Sequence, residues 1–263
     1  MYHDEIILMG QAVDKAVASL LDDASRLHAL VIDSKGKGDL VSEADRKSER
    51  IIIEHLQQAR PDWGFLGEEG GRIVGADPRF CWIIDPLDGT SNFLQGLPLW
   101  NVTIALEKDG QVVAGMTYNP ITQERFHAIR GEGFFKNDKR INKQQDREMN
   151  LEDALVLLDL GHHCVGDTKQ KIMRDISEQA RTVRILGSGA LSLAYVAMGS
   201  FDAAIHTYPL PWDLAAGFLF VEEAGFTLSG FYGEDITCHH DGGIVIARPA
   251  IYDDVLRLVK PLV

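Results

Sequence analysis

The sequence predicts an α/β protein whose two halves are built differently. Three observations carry this expectation. Residues 101–138 hold short apolar runs broken or ended by Asp109-Gly110, Gly131-Glu132-Gly133 and Asn137-Asp138, the pattern of an antiparallel meander. From about Leu151 onward, strand-like and helix-like segments alternate, as in a layered α/β arrangement. Between the N-terminal helices and the meander lies Trp82-Ile83-Ile84-Asp85-Pro86-Leu87-Asp88-Gly89-Thr90-Ser91-Asn92-Phe93, an apolar run that ends in acids and turn residues.

In chain order, Ile6, Val13, Val17, Leu20, Ala24 and Leu27 line one face of a helix running to about Leu30. Lys35-Gly36-Lys37-Gly38 is a flexible break before Asp39-Leu40-Val41-Ser42. Ser42 reads as an N-cap, and Asp45, three residues on, completes a capping-box-like start. That helix continues through Ile52 and Leu56 to Arg60, and Pro61 stops it. Local sequence explains Asp45 as a first-turn acid facing the helix dipole. Residues 65–71 read as a solvated loop unless Glu68 or Glu69 turns inward. The meander then runs 101–107, 112–118 and 125–129, with Phe134-Phe135 resuming it. In the second half, 155–158, 182–186, 201–206 and 244–247 read as strands. Residues 169–180, 188–198, 213–224 and 251–259 read as helices.

The central stretch carries the chemistry. Pro86 lacks an N–H and biases Asp85 toward extended backbone, so the strand is expected to end there. Gly89 permits a tight turn, and Thr90 or Ser91 can cap a following helix. Asp85 and Asp88 therefore leave one strand end within a single turn. Carboxylates that close repel unless cations or protons hold them, and hard divalent ions favour such oxygens. Backbone N–H groups at Gly89 and Thr90 offer an anion site. A plain Asp-Pro-x-Asp-Gly turn is the competing reading. Two further segments stand in the same balance. Asp213, after Trp212, is either an N-cap or a carboxylate delivered at a helix start. Gly187-Ser188-Gly189 is a loop or an anion or hydroxyl contact.

The 263 residues are enough for one large α/β unit or two small ones, and 45% hydrophobic with 25% charged residues is ordinary for a globular chain. A net charge of −13 argues against general attraction to nucleic acid or anionic membrane. An acidic protein that takes an anionic substrate needs a local reversal of field, which bound cations supply. Cys81, Cys164 and Cys238 are far apart and suggest neither a disulfide framework nor a zinc site, which fits a reducing cytosol. The N-terminus, with Asp4, Glu5, Asp14, Lys15 and Asp22, does not read as a signal peptide. No run approaches the ~18 apolar residues of a membrane span.

Taken together, Asp39-Leu40-Val41-Ser42-Glu43-Ala44-Asp45, Gly67-Glu68-Glu69, residues 82–93, Gly187-Ser188-Gly189-Ala190-Leu191 and Trp212-Asp213-Leu214-Ala215-Ala216-Gly217 resemble the inositol monophosphatase family. The motifs appear in that family's order and spacing over nearly the whole chain. The resemblance implies a layered α/β/α/β/α sugar-phosphatase fold, one domain over 1–263 with lobes of roughly 1–150 and 151–263. It also implies a homodimer that uses two or three Mg²⁺ ions per site, in the cytoplasmic location that the cysteines suggest. Carried over by residue, Glu68, Asp85, the Leu87 carbonyl, Asp88 and Asp213 match metal-binding positions. Gly89 and Thr90 match the turn that holds the phosphate, and Glu68, Leu87, Asp88 and Asp213 border the substrate. Asp45 matches the acid that works with Thr90 on the attacking water, so its cap and catalytic roles coexist. The expected chemistry is in-line attack by water on a phosphomonoester of a small metabolite, without a phosphoenzyme.

One departure bears on substrate. Inositol-specific members carry a glutamate on the strand before Trp-Asp, where this chain has His206. Ser188 and Gly189, beside Gly187, occupy neighbouring hydroxyl-contact positions. Inositol-1-phosphate leads the expected substrates. Fructose-1,6-bisphosphate, a 3′-phosphoadenosine nucleotide, NADP and histidinol phosphate keep the same chemistry. A catalytically silent binding or regulatory module is the reading from another class.

Overall fold

Trp82 and Ile84 face one side of the strand Asp77–Asp88 and Ile83 the other, and all three are buried. A strand apolar on both faces must be covered on both, and this one organises the layers around it. The computed structural model describes residues 2–27, 32–36, 39–143, 148–161 and 167–260. In chain order these form α1 (His3–Ala24), β1 (Ile32–Gly36), β2 (Asp39–Ser42), α2 (Glu43–Ala59), β3 (Trp63–Gly67), β4 (Gly71–Ile73) and β5 (Asp77–Asp88). Then come α3 (Thr90–Leu94), β6 (Asn101–Lys108), β7 (Gln111–Asn119), β8 (Glu124–Ile129), β9 (Gly133–Lys136) and β10 (Lys139–Ile141). The second half holds β11 (Leu155–Asp159), α4 (Asp167–Gln179), β12 (Thr182–Arg184), α5 (Gly189–Ala197) and β13 (Ala203–His206). It closes with α6 (Pro211–Ala224), β14 (Thr227–Gly230), β15 (Ile244–Ala247) and α7 (Tyr252–Val259).

Eight strands form one sheet in the order β10-β9-β8-β7-β6-β5-β3-β4, and five form a second in the order β12-β11-β13-β15-β14. Trp82, Ile84, Ile104 and Met116 pack under α1 and α2 on the outer face of the first sheet. Ile83, Ala105, Phe126 and Phe134 face α5 and α6, which in turn meet Leu157, Ala204 and Ile246 of the second sheet. Val156, Ile205 and Val245 cover the far face with α4 and α7. The order of layers is therefore α/β/α/β/α, as the resemblance implies.

Helix α6 is apolar nearly all round, which suits a helix sandwiched between sheets. Gly217 makes its contact with α5 possible. A Cβ there would sit 2.3 Å from Leu193 Cδ1 and 2.5 Å from Leu193 Cβ. Gly217→Ala is expected to lower stability by about 2 kcal/mol through overpacking, read as a lower melting temperature.

The meander follows its turn residues. Asp109 and Gly110 both have positive φ, the two-residue turn that matches strand twist. Several expectations need correction. Helix α1 stops at Ala24 rather than near Leu30, and Ser25 Oγ bonds back to the Asp22 carbonyl at 2.7 Å. Leu30, Lys37, Gly38 and Cys164 lie outside the described residues. Residues 65–67, expected in a loop, belong to the strand β3, which pairs in parallel with β5. Strand β5 does not end at Pro86. The ladder pairs Asp85 with Thr103 and Asp88 with Asn101, so one extra residue is accommodated as a bulge that needs no N–H from Pro86. Gly89, in the left-handed region, takes the N-cap of α3 in place of Thr90 or Ser91. Helix α6 begins at Pro211, and Asp213 lies inside its first turn rather than at its N-cap. The short strands β10 and β14 had no counterpart in the expected pattern.

Candidate active site

Along a regular strand, residues three apart point to opposite faces. The bulge between Asp85 and Asp88 cancels that alternation, and both carboxylates line one cavity. Asp213 reaches it from the first turn of α6, fixed by the Leu210 N–H donating to its Oδ2 at 2.8 Å. One oxygen from each of Asp85, Asp88 and Asp213 lies within 4.8 Å of the others, a set able to hold a metal ion. No lysine, arginine or histidine forms an ion pair with any of the three among the described residues.

This concentration of acid has electrostatic consequences. Burial pushes the Asp85 carboxyl well above the usual range, and Glu68, Asp88 and Asp213 add to the effect. Burial likewise raises Asp213, with Asp88 next. Asp88 is raised by burial against the pull of its donors. Those donors are Asn101 Nδ2 at 2.6 Å, the Gly189 N–H at 3.1 Å, the Ala190 N–H at 3.0 Å and the Ser188 hydroxyl. Asp85 keeps its own fixed orientation because the Leu87 N–H donates to Oδ1 at 3.0 Å. Carboxylates in such a setting hold protons or cations.

The cavity has a volume of about 360 Å³, enough for a small metabolite. Glu68, at the turn after β3, stands in its wall with Asp85, Leu87, Asp88, Gly89, Thr90, Gly187, Gly189 and Asp213. A Cβ on Gly89 would lie 2.8 Å from the Leu99 carbonyl, and its φ of 85° favours glycine. Thr90 Oγ1 lies 2.9 Å from Asp45 Oδ1 and 3.0 Å from the Leu87 carbonyl. Asp45, almost fully buried in the first turn of α2, meets the central stretch through that hydroxyl.

Two expected contacts sit apart from the rest. Ser188 does not line the large cavity. Its hydroxyl donates to Asp88 and accepts from Asn101 Nδ2 at 3.0 Å, and it caps α5 by accepting from the Leu191 N–H. His206 is buried at the end of β13 and lines an adjoining pocket of about 60 Å³, bounded also by Asp159, Gly161, Thr207, Tyr208 and Asp213. Its Nδ1 is 3.9 Å from Asp159 Oδ2, and its Nε2 has no hydrogen-bond partner among the described residues. Burial lowers its pKa while Asp159 pulls it up.

The profile of the inositol monophosphatase family matches residues 3–262. The chain belongs to that family. An inositol-1-monophosphatase of Mesorhizobium japonicum is 42% identical over 96% of this chain and 95% of its own. A protein of Xylella fastidiosa named Nus factor SuhB is 35% identical over 92% of this chain and 88% of its own. In structure, the extragenic suppressor protein suhB of Bartonella henselae superposes with a TM-score of 0.92 at 39% identity, covering 98% of each chain. Family membership supports a phosphatase, and relatives with different names leave the substrate to be argued from the site.

Three neighbours of the site escaped the sequence reading. Asp159 and Lys169 stand in the cavity wall, and Asn101 holds Asp88. Asp159 had one available signal: it closes an apolar strand, where α/β sheets place ligand-binding groups. Asn101 and Lys169 carry no local signal.

Proposed function

We propose that this chain is a Mg²⁺-dependent phosphomonoesterase acting on inositol-1-phosphate or a similar small phosphate. The observation that carries the reading is the meeting of buried Asp85 and Asp88 with half-buried Asp213, with no ion pair to a base among the described residues, beside the Asp45–Thr90 pair. The donors are all hard oxygens, which fit Mg²⁺ rather than a soft metal. Glu68, Asp85, the Leu87 carbonyl, Asp88 and Asp213 would hold it. Bound there, Mg²⁺ supplies charge that attracts the phosphate and acidifies a water.

The chain's own residues do the rest. Gly89 and Thr90 receive the phosphate at the start of α3. Thr90 Oγ1 takes the proton of the attacking water and passes its own to Asp45 Oδ1, 2.9 Å away. Donors clustered on Asp88 keep that carboxylate from turning when the ester enters. The walls of the cavity, Gly187 and Gly189 among them, set the ester in line with the water. The proposal includes a cytosolic homodimer. Among the described residues no helix is long and apolar enough to cross a membrane.

Phosphate release from inositol-1-phosphate, fructose-1,6-bisphosphate, a 3′-phosphoadenosine nucleotide, NADP and histidinol phosphate, with Mg²⁺ and with chelator, tests this. Release from at least one, abolished by chelation, is expected. Silence toward all of them with Mg²⁺ would turn the reading toward a regulatory module, the direction in which the relatives named Nus factor point. Within the panel, His206→Glu is expected to shift kcat/KM toward inositol-1-phosphate by about tenfold. An equal change on every substrate would show that His206 does not select.

A further inference from the structure

A second group of metal-ligating side chains lies away from the acidic cavity. Cys238 and His239 sit on a tight turn between β14 and β15, closed by the His240 N–H donating to the Thr237 carbonyl at 3.0 Å. Both side chains converge on one atom, Oε2 of Glu107 on β6. His239 Nε2 is 2.5 Å from it and Cys238 Sγ 3.8 Å. The three ligand atoms lie within 4.8 Å of one another. Cys81 is the ladder partner of Glu107 on β5, so its side chain stands beside Glu107 on the same face. Cys81 lies four positions before Asp85 on β5, roughly 13 Å at strand rise. The group is therefore a separate place in the fold.

We infer that Glu107, Cys238 and His239 form a binding site for a zinc-class transition metal ion. The donor set decides the class. One sulfur, one imidazole nitrogen and one carboxylate oxygen suit Zn²⁺ or Co²⁺, whereas Mg²⁺ takes hard oxygens. Spacing agrees. Sulfur and oxygen ligands at zinc distances of about 2.3 and 2.0 Å in a tetrahedron lie roughly 3.5 Å apart, close to the 3.8 Å between Cys238 and Glu107. The 2.5 Å approach of His239 to Glu107 is a hydrogen bond, not a ligand spacing. The imidazole must withdraw by about 1 Å, which its 41% exposed side chain permits. Bound metal would tie the turn after β14, in the five-stranded sheet, to β6 of the eight-stranded one.

Co²⁺ is the probe, because thiolate ligation gives it a charge-transfer band in the near ultraviolet that carboxylates do not. The full-length protein, reduced and saturated with Mg²⁺ to occupy the acidic cavity, is titrated with Co²⁺. One equivalent should develop the band, and Zn²⁺ should erase it. Cys238→Ser should lose the band with its fold intact by circular dichroism. His239→Ala, at an exposed position, should weaken Co²⁺ binding by about tenfold or more while Mg²⁺-dependent phosphate release is unchanged. A wild-type protein without the band, the same band in Cys238→Ser, or an unchanged titration in His239→Ala overturns the inference and leaves a plain Glu107–His239 hydrogen bond. Because the readout is spectroscopic, it stands apart from the outcome of the phosphatase assay.

Discussion

Asp85→Asn should abolish phosphate release and make the metal-free protein more stable. The Asp85 carboxyl is almost fully buried and surrounded by Glu68, Asp88 and Asp213. Asparagine keeps the volume and can keep the bond from the Leu87 N–H, which ends on Oδ1 at 3.0 Å. What disappears is a buried charge among like charges. The sign follows from linkage. Folding raises the Asp85 pKa, so the native state binds more protons than the unfolded chain, and metal-free stability falls as pH rises above the ordinary carboxylate range. The variant loses that fall. At neutral pH and without divalent cation, a gain of roughly 1 kcal/mol is expected, as when a site's strain is relieved at the expense of function. Activity should drop by about a thousandfold or more, since a metal ligand supports several kcal/mol of transition-state stabilisation. Mg²⁺ should raise the melting temperature of the wild type and not that of the variant. A variant that is inactive and also less stable without metal would show that Asp85 serves packing, and the metal reading of the cavity would lose its support.

The central stretch was legible because several local rules coincide in it. An apolar run, Pro86, Gly89 and two acids leave few structures open. The bulge that turns Asp85 and Asp88 to one side was not legible, because it depends on where β6 pairs. Residues 63–67 were missed as strand since two glycines hide the alternation and the parallel partner, β5, is more than ten residues away in sequence. Glu68, in the turn after that strand, then looked solvated, although it stands in the cavity wall. Asp213 read as a cap because acids favour helix starts. Its actual place, within the first turn of α6, follows from Pro211 taking the first helical position. Ser188 was read as a hydroxyl contact from the Gly187–Gly189 stretch and the family resemblance, and nothing local in the sequence showed that its hydroxyl donates to Asp88. Strands β10 and β14 hold three and four residues at sheet margins, too short for periodicity to mark. Asp213 apart, the missing information was which distant residue stands opposite.

Thr90→Ala should separate proton handling from binding. The Thr90 hydroxyl has one proton and two acceptors within reach, Asp45 Oδ1 at 2.9 Å and the Leu87 carbonyl at 3.0 Å. It therefore joins the acid of α2 to the turn after β5. Its removal deletes no carboxylate, and Gly89 still caps α3 with backbone alone. Substrate and Mg²⁺ should accordingly bind with affinities close to wild type. Water activation should suffer, and kcat is expected to fall about 10²–10⁴-fold, the range for a positioned acid–base group. Thr90→Ser, which restores the hydroxyl, should recover most of that loss. Asp45→Asn should resemble Thr90→Ala, and the double variant should be hardly worse than either single one, because residues that act as a unit are not additive. If the two single losses instead multiply, Thr90 and Asp45 act on separate steps, and the proton path from water through Oγ1 to Oδ1 is wrong even though the enzyme remains a phosphatase.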